Sequence, residues 1–295
     1  MAYKITPQVG SDEPTQFKQN LAIQALSRIT ATQREVLTAN RTYYVATTGS
    51  NTANDGLSST SPFLTIAKAV AVICNNIDMA GFSITVSVAA GTYSGAVTLN
   101  DVVGINPTSG SSSTHKLRIT GDTSTPSNVI LNTGGTAFAQ VGGSTTWLVE
   151  GFKFTTGSHS VEADFGAKLY FNACEFNSSG GYYLVALYGG RVESLGDCTI
   201  SGSPTSGFAF ASSQGQVLFT AGKTITLTGT PNFPAAFAVA QKTGLVTISS
   251  MTFTGSGTGT RWIADTGGGI DTNGGGATYL PGNAAGTTTN PGWYN

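Results

Sequence analysis

Gly151-Phe152-Lys153-Phe154-Thr155-Thr156-Gly157 decides the fold, because four later segments repeat it. They are Asn172-Ala173-Cys174-Glu175-Phe176-Asn177-Ser178-Ser179-Gly180, Gly196-Asp197-Cys198-Thr199-Ile200-Ser201-Gly202-Ser203, Lys223-Thr224-Ile225-Thr226-Leu227-Thr228-Gly229-Thr230 and Ser250-Met251-Thr252-Phe253-Thr254-Gly255-Ser256-Gly257. Aligned, they put Phe154, Phe176, Ile200, Leu227 and Phe253 in one apolar column, at spacings of 22, 24, 27 and 26. Two residues earlier stand Phe152, Cys174, Cys198, Ile225 and Met251, again apolar. Between the two columns lie Lys153, Glu175, Thr199, Thr226 and Thr252, all polar. Period-two alternation recurring every 25 residues or so describes stacked strands with one face inward.

Two further columns keep the period. One reads Leu148, Leu169, Val192, Val217 and Val246, each shortly after a glycine at 143, 166, 190, 215 or 244. The other runs through Phe138, Val161, Val185, Phe208 and Phe237. Three short strands and three turns per repeat give an all-β chain, a right-handed parallel β-helix of some nine coils over residues 45–265. A β-sandwich needs hairpins, and the regular Asn-Gly or Asp-Gly turns that close them are missing.

Composition agrees. The 295 residues include 39 Gly and 44 Thr, while Lys, Arg, Asp and Glu make up 10%. Average domains carry roughly 25% charged residues, so hydroxyls, amides and backbone solvate this surface. Thr and Gly disfavour helix interiors. A net charge of −1 gives no electrostatic reason to expect nucleic acid or an anionic membrane. No apolar run reaches the roughly 18 residues of a membrane span, and residues 1–30 show no signal-peptide pattern, which implies synthesis in a cytoplasm without membrane insertion. Cys74, Cys174 and Cys198 form neither a disulfide framework nor a metal motif. They read as buried free thiols, and no metal or cofactor is expected. The Gly-rich C-terminal runs carry no phosphate-binding motif.

The N-terminal segment differs. Phe17, Leu21, Ala25 and Ile29 recur every four residues within 12–39, behind Asp12, Glu13 and Pro14. This is an amphipathic helical stripe with a favourable first turn. Its apolar face either meets other copies or a docking partner, or folds back as a cap. The expected organisation is a helical anchor or oligomerisation segment at 1–40, a β-helix at 41–265 with a capping helix near 62–77, and a Gly-rich closing segment at 266–295. Phe63, Ile66, Ala67, Val70 and Ile73 share one face of the capping helix, suited to cover an open sheet end. Gly267 to Gly269 and Gly274 to Gly276 should break the coil repeat, with Trp262, Tyr279, Trp293 and Tyr294 pinning the tail.

The run Tyr43-Tyr44-Val45-Ala46-Thr47-Thr48-Gly49-Ser50-Asn51, then Asn54-Asp55-Gly56-Leu57 and Ser61-Pro62-Phe63-Leu64-Thr65-Ile66-Ala67-Lys68-Ala69-Val70, resembles the opening of pectate-lyase-like β-helix domains in bacteriophage tailspikes and tail fibres. Thr85-Val86-Ser87-Val88-Ala89-Ala90-Gly91-Thr92-Tyr93 is similar to that family's next strand and turn. The resemblance implies a phage virion structural protein: a homotrimer, assembled in the host cytoplasm, docked on other virion proteins by its N-terminus and projecting toward the host surface.

The same family often cleaves glycans with paired carboxylates. Glu162 and Asp164 form an i, i+2 pair, and Glu193 lies in an outward column with Val149, Tyr170, Leu218 and Thr247. Glu150 falls in line with Phe171, Ser194 and Phe219, while Glu175 stacks on Lys153 as a solvated rung. None forms the clear pair that hydrolysis needs, so Glu162, Asp164 and Glu193 are weak catalytic candidates and binding without turnover is expected. His115 and His159 sit in Ser- and Gly-rich turns and are expected at the surface. Trp147, Tyr170, Tyr182, Tyr183 and Tyr188 crowd successive coils; they would either stack on a host polysaccharide or pack against a neighbouring subunit. The alternatives carried forward are a polysaccharide depolymerase on this scaffold and a head fibre or decoration protein without a receptor.

Overall fold

The computed structural model describes residues 33–105 and 115–295. The anchor candidates Phe17, Leu21, Ala25 and Ile29 lie outside the described residues. Val36–Asn295 forms one compact unit, a parallel β-helix. Each coil contributes a strand to sheet one, then sheet two, then sheet three, and these sheets hold ten, seven and eight strands. Seven coils therefore carry all three faces, two fewer than the nine expected, because the strands at either end pair in only one or two of the sheets.

The interior follows from the alternation. Phe154 pairs in register with Phe176, Phe176 with Ile200, and Ile200 with Leu227. The Phe154 and Phe176 rings stack at 5.4 Å. Phe176 also meets Phe208 edge-on at 5.6 Å, and Phe208 stacks on Phe237 at 4.9 Å. All are buried, and each aromatic pair adds about 0.5–1.5 kcal/mol beyond its area burial. Cys174 and Cys198 form the neighbouring rung as free, buried thiols, and burial pushes the Cys174 thiol up to about 12.

Register departs from the sequence alignment in three places. Phe253 pairs with Ile225, two residues from the expected Leu227. That alignment brings Gly255 to the Leu227 rung, where an added Cβ would lie 2.0 Å from the Leu227 carbonyl oxygen. Trp147, rather than Leu148, pairs with Leu169 in the inward column of sheet one, and its indole N–H donates to the Asn100 carbonyl at 3.0 Å. In sheet three Val161 pairs with Leu184, not Val185. There Tyr183 and Leu184, and likewise Phe208 and Ala209, are consecutive members of the core, so strict alternation does not hold at the start of these strands.

The helix Ile66–Asn76 packs against the strands Arg41–Val45 and Val97–Leu99 at the start of the stack. The Thr65 side chain caps it by accepting from the Lys68 N–H at 3.2 Å. Its buried face is Ile66, Ala69, Val70, Ile73 and Cys74. Ala67 is exposed, because the helix starts at Ile66 and turns that position outward.

The Gly-rich tail keeps pairing in sheets one and three, while sheet two ends at Thr252–Thr254, so the repeat loses that face across Gly274 to Gly276. Gly269–Asp271 pairs with Leu245–Thr247, and Trp293 and Tyr294 pair with Gly269 and Ile270. Its aromatics do pin it: Tyr294 stacks on Trp262 at 4.2 Å, and the Tyr279 hydroxyl donates to the Met251 carbonyl at 3.0 Å.

Candidate functional site

The corner from sheet three to sheet one is built from two-residue turns. At Phe165-Gly166 both φ angles are positive, +51° and +80°, and at Tyr188-Gly189 they are +51° and +78°. The turns close with Ala167 N–H to Asp164 carbonyl at 3.1 Å and Gly190 N–H to Leu187 carbonyl at 2.8 Å. Two positive φ values with that bond define a type I′ turn. Here it joins strands of different sheets, which is why hairpin signals are missing from the sequence. Glycine then follows for space: a Cβ on Gly190 would lie 2.0 Å from the Ala163 carbonyl oxygen, and one on Gly215 2.0 Å from that of Ala186.

The first turn position favours Gly or Asn, yet it holds aromatics on two adjacent coils. Phe165 and Tyr188 are 60% and 54% exposed. Their rings stack at 4.7 Å with planes 12° apart. The following coils place Ser213, Lys242 and Thr266 at the same turn position with φ of +52°, +50° and +50°, so the turn belongs to the corner, and what sets these two coils apart is the exposed aromatic pair.

Beside this corner lies the outward face of sheet three. Its columns are Ala139, Glu162, Val185, Phe210, Val239 and Ile263, and then Val141, Asp164, Leu187, Ser212, Gln241 and Asp265. Val141 is 58% exposed. Phe210 stacks on Tyr182 at 4.8 Å. Within this largely apolar face Glu162 accepts from the Thr136 hydroxyl at 2.9 Å. The Asp164 Oδ1 is buried without a hydrogen-bond partner. Burial first, and then the Glu162 charge, push the Asp164 carboxyl up to about 6, while the Leu187 backbone pulls the other way. The two carboxyls leave one strand two residues apart, on the same outward face.

The other expected site residues are dispersed. Trp147 and Tyr183 are fully buried and Tyr170 nearly so. Trp147 and Tyr183 belong to the core. The Tyr183 hydroxyl donates to the Asn177 and Gly202 carbonyls, each at 3.0 Å. Tyr170 does face outward, but the His115 ring lies 4.6 Å from it. His115 is accordingly buried, not a surface residue. Burial raises the pKa of Tyr170, Tyr182 and Tyr183. Of the five aromatics, only Tyr188 is openly exposed and Tyr182 half-buried.

Glu193 pairs with Arg191 at 2.6 Å. Its column holds Leu148, Tyr170 and Leu218, so the expected Val149 is displaced by the one-residue slip. Glu150 is in register with Thr120 and Asn172 instead of Phe171. It accepts from Thr120 at 3.0 Å and Asn172 at 3.1 Å, and pairs with Arg118 at 3.4 Å, a satisfied structural cluster. Lys153 and Glu175 form the expected rung at 2.8 Å.

Phe165 is the functional candidate that the sequence reading missed. Its signal was the aromatic-Gly dipeptide repeated at coil spacing, Phe165-Gly166 and Tyr188-Gly189. Among the described residues no group of three or more His, Cys, Asp and Glu side chains is placed to hold a metal ion. No protein-family model matches the chain, and neither a curated protein nor a solved structure matches it.

Proposed function

We propose that this chain is a structural component of a bacteriophage virion, a tail-fibre or tailspike-like rod that binds a host-surface glycan without cleaving it. The observation that carries the binding reading is the exposed, parallel Phe165–Tyr188 stack at the corner of two adjacent coils. A flat aromatic pair on a rigid corner suits the apolar face of a sugar ring. The virion reading rests on the resemblance of the Tyr43–Val70 region to phage β-helix openings. It places the N-terminal segment at the particle and the protein in homotrimers. A head fibre without a receptor shares every feature except the glycan contact.

The depolymerase alternative has one observation in its favour, a carboxyl at Asp164 raised into the range of a general acid. The burial of Asp164 weighs against it, since an enclosed Oδ1 is out of reach of a glycosidic oxygen. Incubation of the purified chain with envelope polysaccharide should show retention and no new reducing ends or unsaturated products. Tyr188→Ala should reduce retention at least about tenfold, in line with the loss of a stacked aromatic contact. Cleavage abolished by Glu162→Gln or Asp164→Asn would replace this reading with the enzyme, and absence of retention would leave the purely structural rod.

A further inference from the structure

We propose that the C-terminal end of the stack holds a slot for one extended peptide strand of another protein, which pairs with Thr252–Thr254 at the open edge of sheet two. The inference does not rest on the glycan reading, since it concerns backbone groups at the end of the stack and no part of the aromatic corner.

The slot follows from how the last coils end. Beyond the coil that holds Thr252–Thr254, sheet one adds Gly269–Asp271 and Trp293–Tyr294 and sheet three adds Thr287–Thr288, whereas sheet two adds nothing. In a parallel ladder, alternate residues turn both backbone groups to the same neighbour. The Thr252 N–H donates to the Lys223 carbonyl at 2.9 Å, so Thr252 and Thr254 face the preceding strand, and Phe253 turns its N–H and C=O to the side where no strand lies. Met251, on that same side, is already covered: the Tyr279 hydroxyl accepts from its N–H at 2.7 Å and donates to its C=O at 3.0 Å. The Phe253 pair stays open. Beside it lies a cleft of about 250 Å³, lined by Phe253, Gly255 and Ser256 and by Thr278, Tyr279 and Pro281. Unpaired edges of this kind take up a further strand.

The open groups select the occupant. An extended backbone meets both at once, with its C=O one residue before and its N–H one residue after the position opposite Phe253. A lone acetamido group of a sugar cannot, because the N–H and C=O of a trans amide point in opposite directions. On the inward side the Tyr279 ring lies 5.3 Å from that of Phe253, close to the 5.4 Å of the Phe154–Phe176 rung. It already fills the next place in the buried column, so the residue opposite Phe253 must be small, glycine above all. On the outward side Thr199, Thr226 and Thr254 stand in register, and the Thr254 hydroxyl donates to that of Thr226 at 3.1 Å. Threonines pair with Thr or Ser across strands, so the flanking residues of the incoming strand carry hydroxyls.

The recognised pattern is thus Thr-Gly-Thr or its serine equivalent in an extended chain. This protein's own two Thr-Gly-Thr segments are committed elsewhere. Thr258–Gly259 is paired with Asn232–Phe233, and Thr228-Gly229-Thr230 turns through φ of +71° at Gly229 and +54° at Thr230, which no extended strand adopts. The strand is therefore drawn from another protein.

Fluorescence anisotropy of a labelled acetyl-Ser-Thr-Gly-Thr-Ser-amide probe with the full chain should show saturable binding. N-methylation of the second threonine removes the donor to the Phe253 C=O and should weaken binding about tenfold. Exchange of the glycine for leucine should abolish it. With isotope-labelled phenylalanine in the chain, the peptide should slow hydrogen exchange of the Phe253 amide at least about tenfold. Ser256→Trp fills the cleft from an exposed position and should block the peptide; Thr278→Trp, also exposed, gives the same readout if the first variant fails to fold. Equal binding by the N-methylated peptide, or an unchanged Phe253 amide, overturns the slot. Protection of that amide by envelope polysaccharide, or self-association of the chain that the peptide competes away, overturns a strand of another protein as its occupant. The glycan reading fails separately, through unaltered retention in Tyr188→Ala.

Discussion

One coil carries two opposite exteriors. At Lys153–Thr156, in sheet two, Lys153 reaches Glu175 on the next coil, and the outward neighbours above are Thr199 and Thr226. At Val161–Asp164, in sheet three, the outward residues are two acids without a cation, followed by Val185, Leu187 and Phe210. Both strands bury apolar side chains in one continuous core. The interior is thus constrained alike on every face by the need to fill a cylinder, while each exterior is free to take its own chemistry. Threonine suits a solvated strand, since its branched side chain favours the extended backbone and its hydroxyl satisfies itself in water. Apolar side chains on an outward face need another explanation, and a binding partner supplies one.

The largest expected effect concerns what the two faces share. Phe176 touches Phe154, Phe171, Tyr183 and Phe208, so Phe176→Ala leaves a cavity in a stacked core that cannot close by local collapse. Denaturant unfolding should show a loss of about 3–5 kcal/mol. The outward, half-buried Phe210 should cost only about 1 kcal/mol on replacement by Ala, the worth of partial burial. Equal losses at the two sites would mean that inside and outside are not distinguished as described.

That distinction was legible in the sequence wherever one face is wet. In sheet two Lys153, Glu175 and Thr199 alternate with Phe154, Phe176 and Ile200, and the inferred register is the observed one from Phe154 to Leu227; the last strand slips by two residues, which keeps each face. It failed where both faces are dry. Thr146–Glu150 is buried at every position, so hydropathy could not tell Trp147 from Leu148, and one residue of slip exchanges the faces. Tyr183 and Tyr188 are both tyrosines in one crowded stretch, and only their places, one in the strand Tyr182–Leu187 and the other in the turn with Gly189, send one into the core and the other into solvent. Of the candidate site, Tyr188, Glu162 and Asp164 were legible as residues. Their apposition was not, because the turn position that holds Phe165 and Tyr188 takes Ser213, Lys242 and Thr266 on the next coils, so no residue type marks it.

A second contrast lies between the acids of the two faces. Asp164 has a carboxyl raised from 3.8 to about 6, so the native state holds a proton that the unfolded chain releases earlier. The native state is therefore favoured most below about pH 4, and stability falls as pH rises through that window, levelling off above about 6. Asp164→Asn removes the charge and should raise stability at about pH 8 by about 1–2 kcal/mol, allowing for partial solvent screening. The gain should vanish near pH 3. Melting midpoints that respond equally to the substitution at both ends would place the cause in packing instead of titration.

The smallest effect is expected from the sheet-two pair. Lys153 and Glu175 are in contact at 2.8 Å, but about a quarter and a sixth of their side-chain surface remains open, and Glu175 also accepts from the Ser201 hydroxyl at 2.6 Å. The pair's attraction is therefore screened and offset by the ordering of the lysine chain. A double-mutant cycle with Lys153→Ala and Glu175→Ala should give a coupling of about 0.5 kcal/mol, falling toward zero in about 1 M salt. The corresponding salt response on sheet three has the opposite sign, since screening relieves the repulsion between Glu162 and Asp164 and strengthens the native state at about pH 8. If added salt moved both faces in the same direction, the paired and unpaired acids would not be the source of the difference between them.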